Sequence, residues 1–363
     1  MDPASANPLT EPREENLLWV DLLRVIATWC VILIHVAADV ITEWHVLPKD
    51  WWWTANVYDS LARGAVAVFI MLSGALLLPK TESYRDFFRK RFDKILIPFL
   101  AWSLFYLLWR KHFYEPGLGP AEMLSRFASD KVYFHLWFLY ILTGLYLLTP
   151  VIRVWVAHAS ERDLIYFLAL CFAVSFCLPF AETLSGLLGG PEFHIPLPAG
   201  LLTGFTGYFV LGYFIRKYVP ERAVPAARIF WFVSFWVCLF GTAWVCRRSA
   251  SFSPLFYENM APNTAVYAAS FFILMKHASP TLEKWIAGGG RHAVVLVAKA
   301  SFGIYLIHPV FIDILTRGRW GFMLRSNTSQ PVFMIPFVAA VVYLLSLATV
   351  LLIQKIPFLR RTV

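Results

Sequence analysis

The 363-residue chain is 59% hydrophobic and 15% charged, where ordinary globular domains carry roughly a quarter charged residues. Apolar stretches close to the roughly 20 residues needed to cross a bilayer recur from one end to the other, which excludes a soluble protein and predicts an all-α, polytopic membrane protein of about ten transmembrane helices. The net charge of +9 requires no nucleic acid, because loop charge that sets topology and attracts anionic headgroups accounts for it.

Residues 1–17 ("MDPASANPLTEPREENL") are polar and acidic and lack the basic start and cleavable apolar core of a secretory signal. They are expected to form a short cytoplasmic segment ahead of a membrane domain over 18–356, with 357–363 as a cytoplasmic tail. The predicted spans fall near 18–38, 57–78, 95–110, 134–152, 163–181, 198–215, 228–246, 263–277, 295–314 and 332–354. With the amino terminus inside, twice as many Lys and Arg fall in inner connections as in outer ones. Both termini are therefore expected in the cytoplasm. The five cysteines (Cys30, Cys171, Cys177, Cys238, Cys246) show no metal-ligand or redox spacing and read as small core residues; no metal site is expected.

The first span, "VDLLRVIATWCVILIHVAADV" (20–40), carries Arg24 and His35 within an apolar helix. Eleven helical steps bring the second side chain back to within about 20° of the first, roughly 16 Å along the axis. Asp21, one turn before Arg24, shares the stripe at ion-pairing distance. Such groups are costly in lipid and face a protein-lined or water-filled path. In the second span Arg63 is expected near the outer face, where it can orient a substrate or extend toward the interface. "EWHVLPKDWWW" (43–53) reads as an outer loop whose tryptophans form an interfacial belt or a platform for sugar rings. The connection 80–94 gathers Lys80, Arg85, Arg89, Lys90, Arg91 and Lys94 on the inner side. "AGGGRH" (287–292) lacks the Lys-Ser/Thr ending of a phosphate loop and reads as an inside turn.

An arginine and a histidine with ten residues between them, in "RVIATWCVILIH", resemble the first-helix motif of the membrane-bound acyltransferase 3 family. Four more fragments resemble that family in its own order: "ARGAVAVFIMLSGALLL" (62–78), with Arg63, Phe69 and Ser73-Gly74; "FFRKRFDKILIPFLAW" (87–102), with Arg91, Lys94 and Pro98; "HLWFLYILTGLYLLTPVIR" (135–153), similar to the stand-alone surface-polysaccharide O-acetyltransferase branch; and "SFGIYLIHPVF" (301–311), with serine, tyrosine and histidine in the family's late motif. Lys94 stands where many relatives have a second arginine, leaving a point charge in place of a planar fork. No hydrolase-like extracytoplasmic domain follows the last span, so the protein is expected to act alone on its acceptor.

The resemblance implies acyl transfer from acetyl-CoA, as a cytoplasmic donor substrate with no permanently bound cofactor, to a hydroxyl of an exopolysaccharide, other envelope glycan or lipid-linked oligosaccharide. A xanthan-type mannose acetyltransferase is one specific form of that expectation. It also implies a multi-pass protein of a bacterial inner membrane whose other partners are lipids. Histidine suits proton transfer from the attacking hydroxyl, which makes His35 the expected catalytic group, as base or as acylated nucleophile, with Arg24, lower on the same stripe and paired with Asp21, holding the donor or binding charge on it. Arg89, Arg91 and Lys94 are the expected donor-binding residues. Arg63, Ser73, Tyr305 and His308 are expected on the acceptor side or in support of the reacting groups. A secondary transporter carrying a lipid-linked sugar is the alternative, although no matching pair of broken segments in two halves is visible.

Overall fold

The structure is a computed structural model describing residues 17–191, 204–286 and 288–363. Among them there are helices and turns but no strands. Among the described residues, eight helical segments are long and apolar enough to cross a membrane, beginning with α1 (Leu18–Ile41). The second consists of α2 (Lys49–Ala62) and α3 (Ala65–Leu77), the third of α4 (Tyr84–Arg91) and α5 (Ile97–Phe113). A short α6 (Pro120–Ala128) precedes α7 (Trp137–His158), and α8 (Glu161–Cys171) continues into α9 (Leu178–Leu187). The two remaining expected spans are α10 (Gly204–Tyr218), whose expected residues 198–203 lie outside the described residues, and α12 (Pro262–Trp285). α11 (Val224–Ser249), α13 (Gly289–Thr316) and α14 (Pro331–Lys355) complete the bundle. Ala287 and residues 1–16 also lie outside the described residues; Gly289, Gly290, Arg291 and His292 of the expected inside turn are not a connecting turn but the first helical turn of α13.

α1 is the axis of the bundle and packs on α2, α3, α12, α13 and α14. A helix that is apolar nearly all round is stable only when surrounded, and Leu23, Ala27, Ile32, Ala37 and Val40 of α1 are almost wholly buried. The tightest pairing is α3 with α10. A Cβ on Gly74 would lie 1.7 Å from the Phe209 carbonyl oxygen, and one on Gly212 would lie 1.9 Å from that of Met71. In lipid, where apolar side chains gain little by leaving the acyl chains, close backbone approach at small residues is what holds helices together. Gly74 of the "SGALLL" stretch is therefore explained by packing.

Proline shapes two spans. A proline lacks its N–H and crowds the carbonyl four residues back. Ahead of Pro98 the chain widens into a π-helical turn over Phe92–Leu96, and ahead of Pro179 into another over Phe172–Cys177. The first pushes Asp93, Lys94 and Ile95 out of the regular helix and into a cavity. Ser83 caps α4, accepting the Asp86 N–H at 3.1 Å. Glu82 binds Arg153 at 2.9 Å and Lys90 at 3.1 Å, so the basic connection is fixed in place.

The second span begins earlier than expected, at Lys49, and "WWWTANVYDS" is helix rather than outer loop. Its polar residues disguise a buried face: Trp52, Asn56, Asp59 and Ser60 recur at helical spacing and are all nearly inaccessible. Trp52 Nε1 donates to the Ile41 carbonyl at 3.0 Å, covering an orphaned end of α1. Asn56 Nδ2 donates to the Leu239 carbonyl at 3.0 Å, and the Tyr257 hydroxyl donates to Asn56 Oδ1.

Candidate active site

At the end of the bundle where α1 begins and α14 finishes, a cavity of about 820 Å³ opens among α1, α3, α5, α7 and α13. Ligand pockets of roughly this size hold cofactor-sized molecules. Its mouth is strongly cationic: Arg24, Arg91, Lys94, Lys299, Arg360 and Arg361 line it against a single acidic side chain, Asp93. Arg24 is held by Asp21 at 3.0 Å, as the one-turn spacing predicted. The Arg91 guanidinium lies over Phe87 and Tyr146, 5.3 and 5.7 Å from the ring centres. Of the three expected donor-side residues, Arg91 and Lys94 reach the cavity; Arg89 is exposed on α4 and does not line it. The physical reason is helical: Arg89 lies on the solvent side of α4, whereas the π-turn turns the next residues inward.

Deeper in, the wall becomes apolar and ends at Ser73, Phe69, Phe138 and Tyr305. Ser73 spends its hydroxyl on the Phe69 carbonyl at 3.0 Å. Beyond Tyr305 lies a layer of three histidines. His35 and His308 stack with ring centres 5.4 Å apart and planes 18° from parallel. His135, just ahead of α7, meets His308 at 5.5 Å and Tyr305 at 5.4 Å, and the Tyr305 hydroxyl donates to the His135 carbonyl. Nine helical steps lead from Lys299 at the mouth to His308, about 14 Å along α13.

The "YLIHP" sequence explains the state of His308. Pro309 has no N–H to give the Tyr305 carbonyl four residues back. His308 Nδ1 takes that place, 2.7 Å from the oxygen. Because a carbonyl only accepts, Nδ1 carries the proton, and Nε2 of the neutral ring keeps its lone pair. That Nε2 is buried without a hydrogen-bond partner among the described residues, as are both ring nitrogens of His135. Unpaired polar atoms at such depth are expensive. His135 was not singled out from the sequence; its signal was the histidine opening "HLWFLY".

A second cavity, about 420 Å³, lies at the opposite end, lined by Tyr133, Phe134, Pro309, Asp313 and Arg317 among others. Asp313 is its best-anchored group, accepting from Arg319 Nε at 2.8 Å, Trp109 Nε1 at 3.1 Å and the Tyr114 hydroxyl. Phe134 of this cavity touches the His35 ring edge-on at 4.8 Å. The histidines therefore stand between two cavities, with Tyr305 on one side and Phe134 and Pro309 on the other. His35 itself lines neither. The stripe between Arg24 and His35 is closed by the buried Thr28 and Val31, so the cavity does not follow α1 from Arg24 to His35; its deepest lining comes from α3, α7 and α13.

Arg63 does not sit near the outer face. It closes α2 in the middle of the second span, where it binds Asp59 with two contacts of 2.6 and 2.5 Å. It also stacks over Tyr257 at 4.3 Å. Asp59 is fully buried, and the long first half of the span carries Arg63 away from the surface. The pair is part of the core and not of either cavity. Among the described residues no group of His, Cys, Asp or Glu is arranged to hold a metal ion.

The described residues form an all-α polytopic bundle in which a cationic cavity approaches a layer of histidines. The family model for the acyltransferase domain of this type (Acyl_transf_3) matches residues 17–352. The chain belongs to the acyltransferase 3 family and is a multi-pass membrane acyltransferase. No curated protein and no solved structure gives a significant match.

Proposed function

We propose that the protein transfers an acetyl group from cytoplasmic acetyl-CoA to a sugar hydroxyl of an exopolysaccharide or other cell-envelope glycan, in a bacterial inner membrane with both termini cytoplasmic. The observation that carries this reading is the histidine layer between two cavities of different chemistry. The basic end gathers most Lys and Arg, as a cytoplasmic face does, and its cavity suits the phosphates of CoA, which charge-assisted hydrogen bonds hold strongly. Arg24, Arg91, Lys94 and Lys299 bind that end, and the thioester extends past Phe69 and Phe138 toward Tyr305. The opposite cavity, with its aromatic and hydrogen-bonding walls, suits a sugar.

The hydroxyl oxygen attacks the thioester carbonyl carbon while His35 accepts its proton. The C–S bond then breaks, the acetyl group remains on the sugar oxygen, and the CoA thiolate recovers the proton. An acetyl-histidine in two steps balances equally well. The bare Nε2 of His308 provides a second acceptor beside His35. A base placed in this way contributes about 10²–10⁴-fold.

The test is radiolabelled acetyl-CoA supplied to purified protein in nanodiscs with envelope glycan, alongside NMR of O-acetyl signals in glycans from cells with and without the gene. Time-dependent CoA release and labelled glycan are expected. Neither product, together with sugar transport by the same protein in vesicles, would establish a carrier and overturn the reading.

A further inference from the structure

The chain after α14 does not leave the bundle. It reverses at Ile356 and forms a tight turn over Leu359–Thr362. Three contacts hold it. Trp102 Nε1 of α5 donates to the Thr362 carbonyl at 2.8 Å, the Arg360 N–H donates to the Ile356 carbonyl at 2.9 Å, and the Thr362 hydroxyl donates to the Leu359 carbonyl at 2.7 Å. Gly303 of α13 leaves the room this requires, since a Cβ there would come within 2.9 Å of the Val363 side chain. The turn thereby places Arg360, Arg361 and Val363 on the wall of the cationic cavity, opposite Arg91 and Lys94.

We infer that this turn is a built part of the donor site, with Arg360 and Arg361 binding the phosphate groups of the CoA nucleotide. The inference rests on the proposed reading that the cavity takes CoA. Three observations carry it. The turn is anchored by a buried indole, so its position is fixed. Neither arginine pairs with a carboxylate among the described residues, so both forks are available. The cavity wall holds six basic side chains against one acidic one, a mutual repulsion that a polyanion relieves. Planar guanidinium groups also suit phosphate better than ammonium groups do, which offsets the lysine at position 94.

The experiment measures CoA binding and acetyl-CoA kinetics for the full-length protein carrying Arg360→Ala/Arg361→Ala, with Arg360→Lys/Arg361→Lys and Arg91→Ala in parallel. The alanine pair is expected to raise the Kd for CoA and the KM for acetyl-CoA by about tenfold or more. Its kcat at saturating donor should stay within about twofold, and the lysine pair should fall between it and wild type. Exposed charges far from the packed core leave folding largely intact, and the lysine pair reports on binding if the alanine pair does not fold. Weakened binding in Arg91→Ala, with unchanged binding in the alanine and lysine pairs, would overturn the role of the turn and leave the donor reading standing. Unchanged CoA binding in all three variants would overturn the donor reading itself.

Discussion

Replacing Asp59 by leucine would remove one half of an ion pair whose carboxylate is fully buried and whose guanidinium side chain is 21% exposed. Taking one partner from such a pair leaves an uncompensated charge at a cost of about 3–5 kcal/mol. The folded-to-unfolded ratio should fall by roughly two to three and a half powers of ten. Arg63→Met should cost a similar amount, because Asp59 is then stranded while Tyr257 loses the cation stacked on it at 4.3 Å. The double variant Asp59→Leu/Arg63→Met carries no stranded charge and should recover most of the loss, since apolar replacement of a buried pair is often neutral or better. Chemical denaturation in detergent, read by tryptophan fluorescence, gives all four corners of this cycle. Acetyl transfer by the double variant separates core from substrate contact: recovered stability with near-normal acceptor KM is expected. A double variant as unstable as the sum of the single ones, or a stable one with a sharply raised acceptor KM, would refute the structural assignment of Arg63.

His35→Asn keeps polarity but not basicity, and is expected to reduce acetyl transfer by about 10²–10⁴-fold with an unchanged unfolding midpoint; full activity would remove His35 from the chemistry. Arg24→Ala should raise the KM for acetyl-CoA more than it lowers kcat, and equal effects on donor and acceptor KM would place it elsewhere. Gly212→Ala should destabilise by about 1–3 kcal/mol because α3 and α10 must part. Gly144→Ala, whose added carbon meets nothing within 4 Å, should stabilise by about 0.5–1 kcal/mol; the same sign for both would contradict the tight α3–α10 contact. Hydrogen bonds from Arg126 and then Arg110 hold the Glu115 carboxyl down to about 2 from its usual 4.5. With the folded value depressed, this contact is intact above pH 4.5 and is lost as pH falls toward 2. Peptic cleavage within 114–132 should therefore appear only below about pH 3 in wild type and already at about pH 4 in Glu115→Gln; identical profiles would refute the link.

Hydropathy alone was sufficient for the class and for most of the spans, because a bilayer demands long apolar helices wherever the chain crosses it. It also located the polar stripe of α1, since helical periodicity puts Asp21, Arg24 and His35 on one face whatever surrounds them, and the Asp21–Arg24 pair follows from local spacing. The start of the second span was hidden because Asn56, Asp59 and Ser60 look like loop residues until their partners on α11 and at Tyr257 are known. The depth of Arg63 was lost with it. The three histidines come from positions 35, 135 and 308, and no local pattern states that a residue ahead of α7 will meet one in α13. The same holds for Arg360 and Arg361, which reach the cavity only because an indole on α5 captures the turn that follows α14. One-dimensional pattern fixes what each segment must bury. Which polar groups then share a cavity depends on contacts between residues up to hundreds of positions apart, and those exist only once the helices have packed.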